Sequence, residues 1–107
     1  MLDKEQVRTI AQLYAGEVRK VLKPASIILF GSYVNGIPHE NSDIDVAVLV
    51  DNIEGEDWYN ARILLQKIRW REDTFTDIEP HLLDESHDPS GFVQHVIKTG
   101  EVVYLSA

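Results

Sequence analysis

The chain has no cysteine, no long apolar run and few basic residues, and each of these absences excludes a class of protein. Without cysteine there is no disulfide and no thiolate zinc site. No apolar stretch approaches the roughly 20 residues that a membrane-spanning helix needs. The first residues lack the charged-then-apolar order of a secretion signal, so we expect a cytoplasmic protein that does not engage a membrane.

The shortage of basic residues gives the chain a strongly acidic balance. Ten lysines and arginines stand against 18 aspartates and glutamates, for a formal charge of −8 at pH 7. An acidic surface repels nucleic acid, so we expect no free-standing binding to a polynucleotide. The charge is compatible with a protein that holds divalent cations or docks on a basic partner.

What is present is the composition of an ordinary globular protein. With 107 residues, of which 44% are hydrophobic, the chain is long enough for one modest core and too short for two. We therefore expect a single domain over residues 1–107. Its alternation of helical and strand patterns predicts an α/β (α+β) fold, a small mixed sheet with helices packed mainly on one face and a carboxylate site on the other.

Helical spacing of apolar residues predicts three helices. Asp3 and Gln6 form a capping box at the start of the first, and Pro24 is expected to end it because a proline ring blocks continuation. Gly100 is the expected stop of the last. The two later helices are predicted to run from residue 57 or 58 to about 71, and over 91–98.

Short β-branched runs predict the strands. In the third of them, Ile78 and Leu82 fall on one face, while Glu79 and His81 fall on the other. Pro80 has no N–H to donate, which predicts that this strand lies at an edge of the sheet or ends its pairing there. The predicted strands cover residues 26–30, 44–50 and 76–83, and 102–105 is a last short strand or an extended tail.

The connection between the first two strands carries the chemistry. The glycine of Gly31-Ser32 lets the backbone approach a bound group, and the N–H groups of the short helical turn after it attract anions. Asp43 and Asp45 are two residues apart at the next strand, so their carboxylates share a face and repel each other. Two Mg²⁺ ions about 3.5–4 Å apart would relieve that repulsion. The plainer alternative is an ordinary turn followed by a capping aspartate.

These residues carry a family resemblance. Gly31-Ser32, Gly36 and Ser42-Asp43-x-Asp45, set between apolar strands, resemble the signature of the DNA polymerase beta-type nucleotidyltransferase superfamily. Over nearly its whole length the chain is similar to the minimal nucleotidyltransferase domains of that superfamily. The resemblance implies that Gly31, Ser32 and Ser42 bind the nucleotide.

The resemblance also implies that three carboxylates coordinate two Mg²⁺ ions and act in catalysis. Two of them are Asp43 and Asp45, and the third comes from the strand over 76–83. Glu79 matches best, and Asp77 on the same strand face is the alternative. The third carboxylate would help to remove the proton from the attacking hydroxyl.

The implied activity is transfer of AMP from ATP to a hydroxyl acceptor. Minimal domains of this kind are often paired with a small helical HEPN toxin, which they neutralise, in some cases by adenylylating a tyrosine. The resemblance therefore implies an antitoxin in a homo- or hetero-oligomer. The alternatives are a non-catalytic antitoxin or binding module with the same fold, and a nucleotidyltransferase acting on a small molecule or an RNA end.

In one respect the chain departs from the family pattern. Many minimal members carry a basic residue where this chain has Tyr33 or Asn35. A predicted face of the middle helix is either solvated or turned to a phosphate or a partner, and it carries Arg62, Lys67, Arg69 and Arg71. His81 shares a strand face with Glu79, which makes it a candidate neighbour of the site.

Overall fold

The computed structural model describes residues 2–39 and 42–106, which form a four-stranded mixed sheet with helices. The strand order is β3-β2-β1-β4, with β2 antiparallel to β1 and parallel to β3, and β4 antiparallel to β1. A 3₁₀ turn at Asp73–Phe75 precedes β3. The elements are α1 (Lys4–Val18), β1 (Ser26–Phe30), α2 (Ser32–Asn35), β2 (Ile44–Val50), α3 (Gly55–Arg71), β3 (Ile78–Asp84), α4 (Phe92–Thr99) and β4 (Glu101–Leu105).

The two faces of the sheet are covered unequally. One face packs against α1 and α3 through the larger core cluster, which includes Ile27, Val46 and Ile78 from the strands. The other face packs against α4, where Ile28, Ala47 and Leu49 form a smaller cluster with Val93 and Val96. The predicted fold class, with most helices on one face, is confirmed. No helix in the described residues is long and apolar enough to cross a membrane.

The first helix starts as predicted and ends early. The Asp3 carboxylate accepts from the Gln6 N–H at 2.8 Å, and the Gln6 side chain accepts from the Asp3 N–H at 2.9 Å, which completes the capping box. The prediction that Pro24 ends α1 is wrong, since the helix stops at Val18. A tight turn follows, in which the Val21 N–H donates to the Val18 carbonyl, because the chain must change direction to enter β1.

The other bounds move by a few residues. α3 begins at Gly55 rather than 57, and α4 covers Phe92–Thr99. β3 begins at Ile78 rather than 76, since the 3₁₀ turn and Thr76 occupy the residues before it. The last segment is a strand, β4, and β3 is an edge strand as Pro80 predicts.

Candidate functional site

The parallel pairing of β2 with β3 brings two of the predicted carboxylates side by side. Asp45 is the direct partner of Glu79 in the strand register, and Ala47 is the partner of His81. Neighbouring strands lie about 4.8 Å apart, so rotation of the side chains alone can bring the two carboxylates together. Glu79 comes 34 positions after Asp45 in the chain, and the pairing of β2 with β3 brings the two together on the sheet face opposite α1 and α3.

Asp45 is held by a histidine. The Asp45 Oδ1 atom lies 3.0 Å from His81 Nε2, and the two side chains are 26% and 33% exposed. The ring of Phe30, the register partner of Asp45 on β1, meets the His81 ring edge-on with centroids 5.0 Å apart. His81 therefore lies at the carboxylate pair, as its strand face suggests. Sequence reasoning misses Phe30, although this residue directly precedes Gly31 and lies on the same sheet face.

Gly31 lies against the Asp45 side chain. It has φ 86° and ψ −153°, a backbone conformation that side-chain-bearing residues rarely adopt. A Cβ added at residue 31 would overlap the Asp45 carboxylate. The carbonyl of Gly31 accepts from the N–H groups of Val34 and Asn35 at 3.0 and 2.9 Å, which turns the chain into α2. The glycine turn at Gly31, which is predicted to bind phosphate, is thus in contact with the predicted metal ligand Asp45.

Ser42 and Asp43 lie just before β2. The Ser42 hydroxyl accepts from the His39 N–H at 2.8 Å, and the Ser42 N–H donates to the His39 carbonyl at 2.9 Å. Ser42 therefore closes a turn at the entrance to β2, while residues 40 and 41 lie outside the described part of the chain. Asp43 is exposed and precedes the strand by one residue.

The two candidates for the third carboxylate differ in position. Glu79 lies within β3, half-buried beside Asp45, whereas Asp77 is exposed and precedes the strand. The Asp77 carbonyl accepts from the Ile44 N–H at 2.7 Å, so its backbone still belongs to the ladder. The choice of Glu79 stays a prediction, which this arrangement favours.

The donor chemistry of the site fits Mg²⁺, although the side chains do not converge. Within residues 2–39 and 42–106, no three His, Asp or Glu side chains are grouped closely enough to hold a metal ion. Asp43, Asp45 and Glu79 are hard oxygen donors of the kind that Mg²⁺ prefers, and Mg²⁺ keeps several waters of its own. Because Gly31 has no side chain, its backbone can lie directly against the Asp45 carboxylate; a Cβ at residue 31 would overlap it.

The basic residues of α3 differ in exposure. Arg69 is half-buried and donates to the Thr76 carbonyl at 3.0 Å, whereas Arg62 is exposed beside β3. Tyr33, at one of the positions where a basic residue is common, is buried in the core cluster. The Tyr33 side chain is therefore part of the hydrophobic core and does not contribute a contact to phosphate.

A groove lies between α3 and the free edge of β3. We call it the α3–β3 groove; it has a volume of about 580 Å³. Glu79 and His81 belong both to its lining and to the site above. The α3 side presents Trp58, Tyr59, Arg62, Ile63, Leu65, Gln66 and Trp70.

Comparison with known proteins gives one family and several related structures. A family profile described as polymerase beta, nucleotidyltransferase matches residues 14–107. A structure from Sulfolobus solfataricus, provisionally described as a nucleotidyltransferase, superposes with a TM-score of 0.66 at 19% identity, covering 92% of this chain and 80% of that one. At that identity the likeness concerns the fold alone. No curated protein matches the chain significantly.

Two further structures are toxin–antitoxin complexes. One was solved with AMP-PNP and has a TM-score of 0.55 at 27% identity. The other is described as MntA–HpeT carrying two Asp→Glu substitutions, with a TM-score of 0.54 at 24% identity. Each alignment covers 98% of this chain and 75% of the other.

Proposed function

The chain belongs to the polymerase beta nucleotidyltransferase family, and we propose that it transfers AMP from ATP to a hydroxyl group of a partner protein, as the antitoxin of a toxin–antitoxin pair. The observation that carries this proposal is the contact of three features at one place. Gly31 lies against Asp45, and Asp45 lies beside Glu79 in the register of β2 and β3. A phosphate turn and paired carboxylates are the parts that phosphoryl transfer needs.

The proposed step is an in-line displacement at the α-phosphorus of ATP. The acceptor oxygen forms a new bond to phosphorus, the bond from phosphorus to the α–β bridging oxygen breaks, and pyrophosphate leaves with that electron pair. Glu79 takes the proton of the acceptor hydroxyl. The backbone at Gly31 and Ser32 holds the phosphates, and Ser42 keeps the entrance to β2 in place.

Asp43, Asp45 and Glu79 are the residues that would hold two Mg²⁺ ions. When bound, Mg²⁺ neutralises charge on the phosphates and on the departing pyrophosphate. His81 orients the Asp45 carboxylate through the 3.0 Å contact. The protein supplies no lysine or arginine contact to Asp45 among its described ion pairs. In this proposal the negative charge of the triphosphate is therefore neutralised by Mg²⁺ and by backbone N–H groups, and not by a basic side chain.

The partner is proposed from the related complexes. The toxin–antitoxin structure with AMP-PNP, 27% identical to this chain, supports an adenine nucleotide as donor and a toxin as partner. We propose a small helical HEPN toxin as that partner, with one of its tyrosines as the acceptor. An antitoxin of charge −8 is suited to a toxin whose own surface must bind RNA.

A second candidate is a non-catalytic antitoxin with the same fold. Tyr33 favours it, because this position packs into the core and leaves the phosphate turn without the basic side chain that many minimal members have there. An argument against it is that Asp45 and Glu79 stand side by side, which is an unfavourable arrangement of like charges unless a cation is held there.

Incubation of the chain with α-labelled ATP, Mg²⁺ and the purified toxin partner tests the proposal. We expect label on the toxin. We expect Asp45→Asn to lower the rate of transfer by more than about 100-fold, because substitution of residues that only support a metal ligand already costs about 10- to 100-fold in activity. Mg²⁺ should raise the melting temperature of the wild-type chain and leave that of Asp45→Asn unchanged. Asp73→Asn, the same change at an exposed position of the 3₁₀ turn, is the matched control.

The outcomes separate the candidates. If no label transfers and Asp45→Asn still neutralises the toxin, the chain is a non-catalytic antitoxin. Transfer to an RNA end or a small molecule, with none to protein, would contradict the antitoxin role and leave the nucleotidyltransferase in place.

A further inference from the structure

We propose that the α3–β3 groove binds the acceptor segment of the partner protein, and that this segment is basic and presents its hydroxyl at the Glu79 end of the groove. The inference rests on the proposed function and names a binding surface and a substrate chemistry for it. Four observations carry it: the position of the groove, its lining, the form of its strand edge and its surrounding charge.

The position of the groove follows from the geometry of the displacement. The attacking and leaving oxygens lie in line on opposite sides of the α-phosphorus. The proposed function puts the phosphates at Gly31, at the end of β1. The acceptor would then approach from the opposite side of Asp45, which is the side of β3. Glu79, the proposed proton acceptor, lines the groove on that side. The Glu79 side chain lies on the sheet face opposite α3, so an acceptor segment in the groove would present its hydroxyl to Glu79 around the free edge of β3.

The lining suits a short peptide segment. Trp58, Arg62, Gln66 and Trp70 recur every four residues and form one row along α3. At 1.5 Å per residue the row is about 18 Å long, the span of roughly five extended residues. The volume of about 580 Å³ lies in the range of ligand sites, which combine aromatic walls with a few polar groups. Trp70 and Tyr59 are 73% and 63% exposed, a large aromatic surface with no covering element in the described residues.

The strand edge excludes one mode of binding. The Asp77 carbonyl and the Glu85 N–H are bonded to β2, so the backbone groups of the residues between them alternate toward β2 and toward the open edge. By that alternation the nitrogen of Pro80 faces the open edge, where it has no hydrogen to donate. A proline so placed opposes addition of a further strand. The occupant therefore binds through its side chains, and the indoles of α3 are the surface for them.

Charge selects the class of occupant. Residues 51–57 lead into Trp58 and residues 84–85 follow Leu83, and both Trp58 and Leu83 line the groove. The Asn52 N–H donates to the Asp84 carboxylate at 3.2 Å, which joins the two segments in an acidic rim. Residues 51–57 and 84–85 contribute six carboxylates and no lysine or arginine to this rim. A lysine or arginine of the occupant can stack on the Trp58 ring and, at the same time, interact with the carboxylates of the rim. RNA would be repelled by the same charges.

The chain's own fluorescence tests the groove directly. Its only two tryptophans, Trp58 and Trp70, both line the groove. We expect a saturable change in their emission with a nine-residue peptide that has a central tyrosine flanked by lysines. The same peptide with glutamates should bind at least about tenfold more weakly, and a single-stranded oligoribonucleotide should cause no change. Equal binding of both peptides, or binding of the oligoribonucleotide, would overturn the proposal.

Variants connect binding to transfer. Trp70→Ala should raise the KM for the toxin acceptor about tenfold, the scale of a truncated aromatic anchor, while kcat at saturating acceptor and the affinity for ATP stay within about twofold. Leu13→Ala, which also truncates an exposed apolar side chain but on α1, should change none of these. Unchanged KM in Trp70→Ala with normal transfer refutes the groove and leaves the proposed function standing. Peptide binding by Asp45→Asn, together with absence of transfer by the wild-type chain, supports the groove and refutes the enzymatic function.

Discussion

At the scale of single residues, the site depends on how Asp45 is confined. Gly31 lies against its carboxylate, and His81 contacts it at 3.0 Å. The His81 ring is in turn packed on Phe30, which packs edge-on against Phe92 with centroids 5.9 Å apart. One side of Asp45 is thus bounded by backbone and the other by a packed aromatic stack. This confinement gives Asp45 little freedom to reorient without movement of its neighbours.

We expect Gly31→Ala to disrupt both the turn and the carboxylate. The new Cβ would overlap Asp45, and alanine disfavours φ 86°. Backbone strain of this kind costs on the order of 1–3 kcal/mol in the free energy of unfolding. Denaturant unfolding measures the loss, and binding of an ATP analogue should weaken in the same variant.

Gly16→Ala is the matched control for that substitution. Gly16 lies within α1, and a Cβ added there would meet nothing within 4 Å beyond the backbone of its own helix. Alanine is preferred to glycine in a helix, so this variant should gain about 0.5–1 kcal/mol in the free energy of unfolding. If Gly31→Ala proved as stable as Gly16→Ala, close contact between the glycine turn and Asp45 would be refuted.

At the scale of elements, α1 is the support on which the sheet and α3 are assembled. The Tyr14 hydroxyl donates to the Leu65 carbonyl of α3 at 2.7 Å, and its ring meets Phe75 edge-on. Arg8 of α1 forms a two-pronged ion pair with Glu101 of β4, at 2.8 and 3.1 Å. This ion pair lowers the pKa of the Glu101 carboxyl through the hydrogen bond from Arg8. One helix therefore contacts both α3 and the strand at the edge opposite β3.

Tyr14→Phe should change the dependence of stability on alkaline pH. Burial raises the pKa of Tyr14 above its ordinary value of 10.0, because the phenolate would lose its hydration. In the unfolded chain the phenol ionises at its ordinary value, so the contribution of Tyr14 is fully present below pH 10 and is lost as pH rises above it. The variant should be about 1 kcal/mol less stable near neutral pH, from the lost hydrogen bond.

Denaturant unfolding of both proteins from about pH 7 to about pH 11 is the measurement, and the difference between them should narrow above the ordinary phenol pKa of about 10. A constant difference across that range would mean that Tyr14 is not buried as the structure describes.

At the scale of the whole molecule, charge limits the partners. The formal charge is −8, and the described ion pairs involve only Arg8 and Lys20 among the lysines and arginines. The acidic rim adds a local concentration of carboxylates at one end of the α3–β3 groove. A polyanion meets repulsion here, whereas a basic protein surface is attracted from a distance.

We expect no binding of the chain to single-stranded RNA at physiological salt, because counterion release needs basic contacts to phosphate. Fluorescence anisotropy of a labelled oligoribonucleotide measures it, and a basic RNA-binding protein serves as positive control. Salt-sensitive binding by the chain alone would contradict this expectation and favour an RNA end as the acceptor.

Local signals in the sequence are sufficient for much of the fold and for the turn and strand that carry Gly31 and Asp45. The capping pair Asp3 and Gln6, the breaker Gly100 and the missing donor of Pro80 each act through the backbone of their own segment, so their effects are visible in the chain order alone. The same is true of Gly31-Ser32 and Asp45, whose spacing places a turn before a strand. The end of α1 is not visible locally, since Val18 is followed by residues that could continue a helix.

Tertiary structure alone decided which residues meet. That Glu79 lies beside Asp45 depends on the register of two strands separated by the whole of α3, and register is set by burial of the opposite sheet face. The same strand pairing brings His81 into contact with Asp45. It also places β3 beside α3, so that Trp58 and Trp70 line one groove with β3. The sequence determined the chemistry and the local backbone, because those act over a few residues. The arrangement of the site was decided by packing, because packing joins residues that are far apart in the chain.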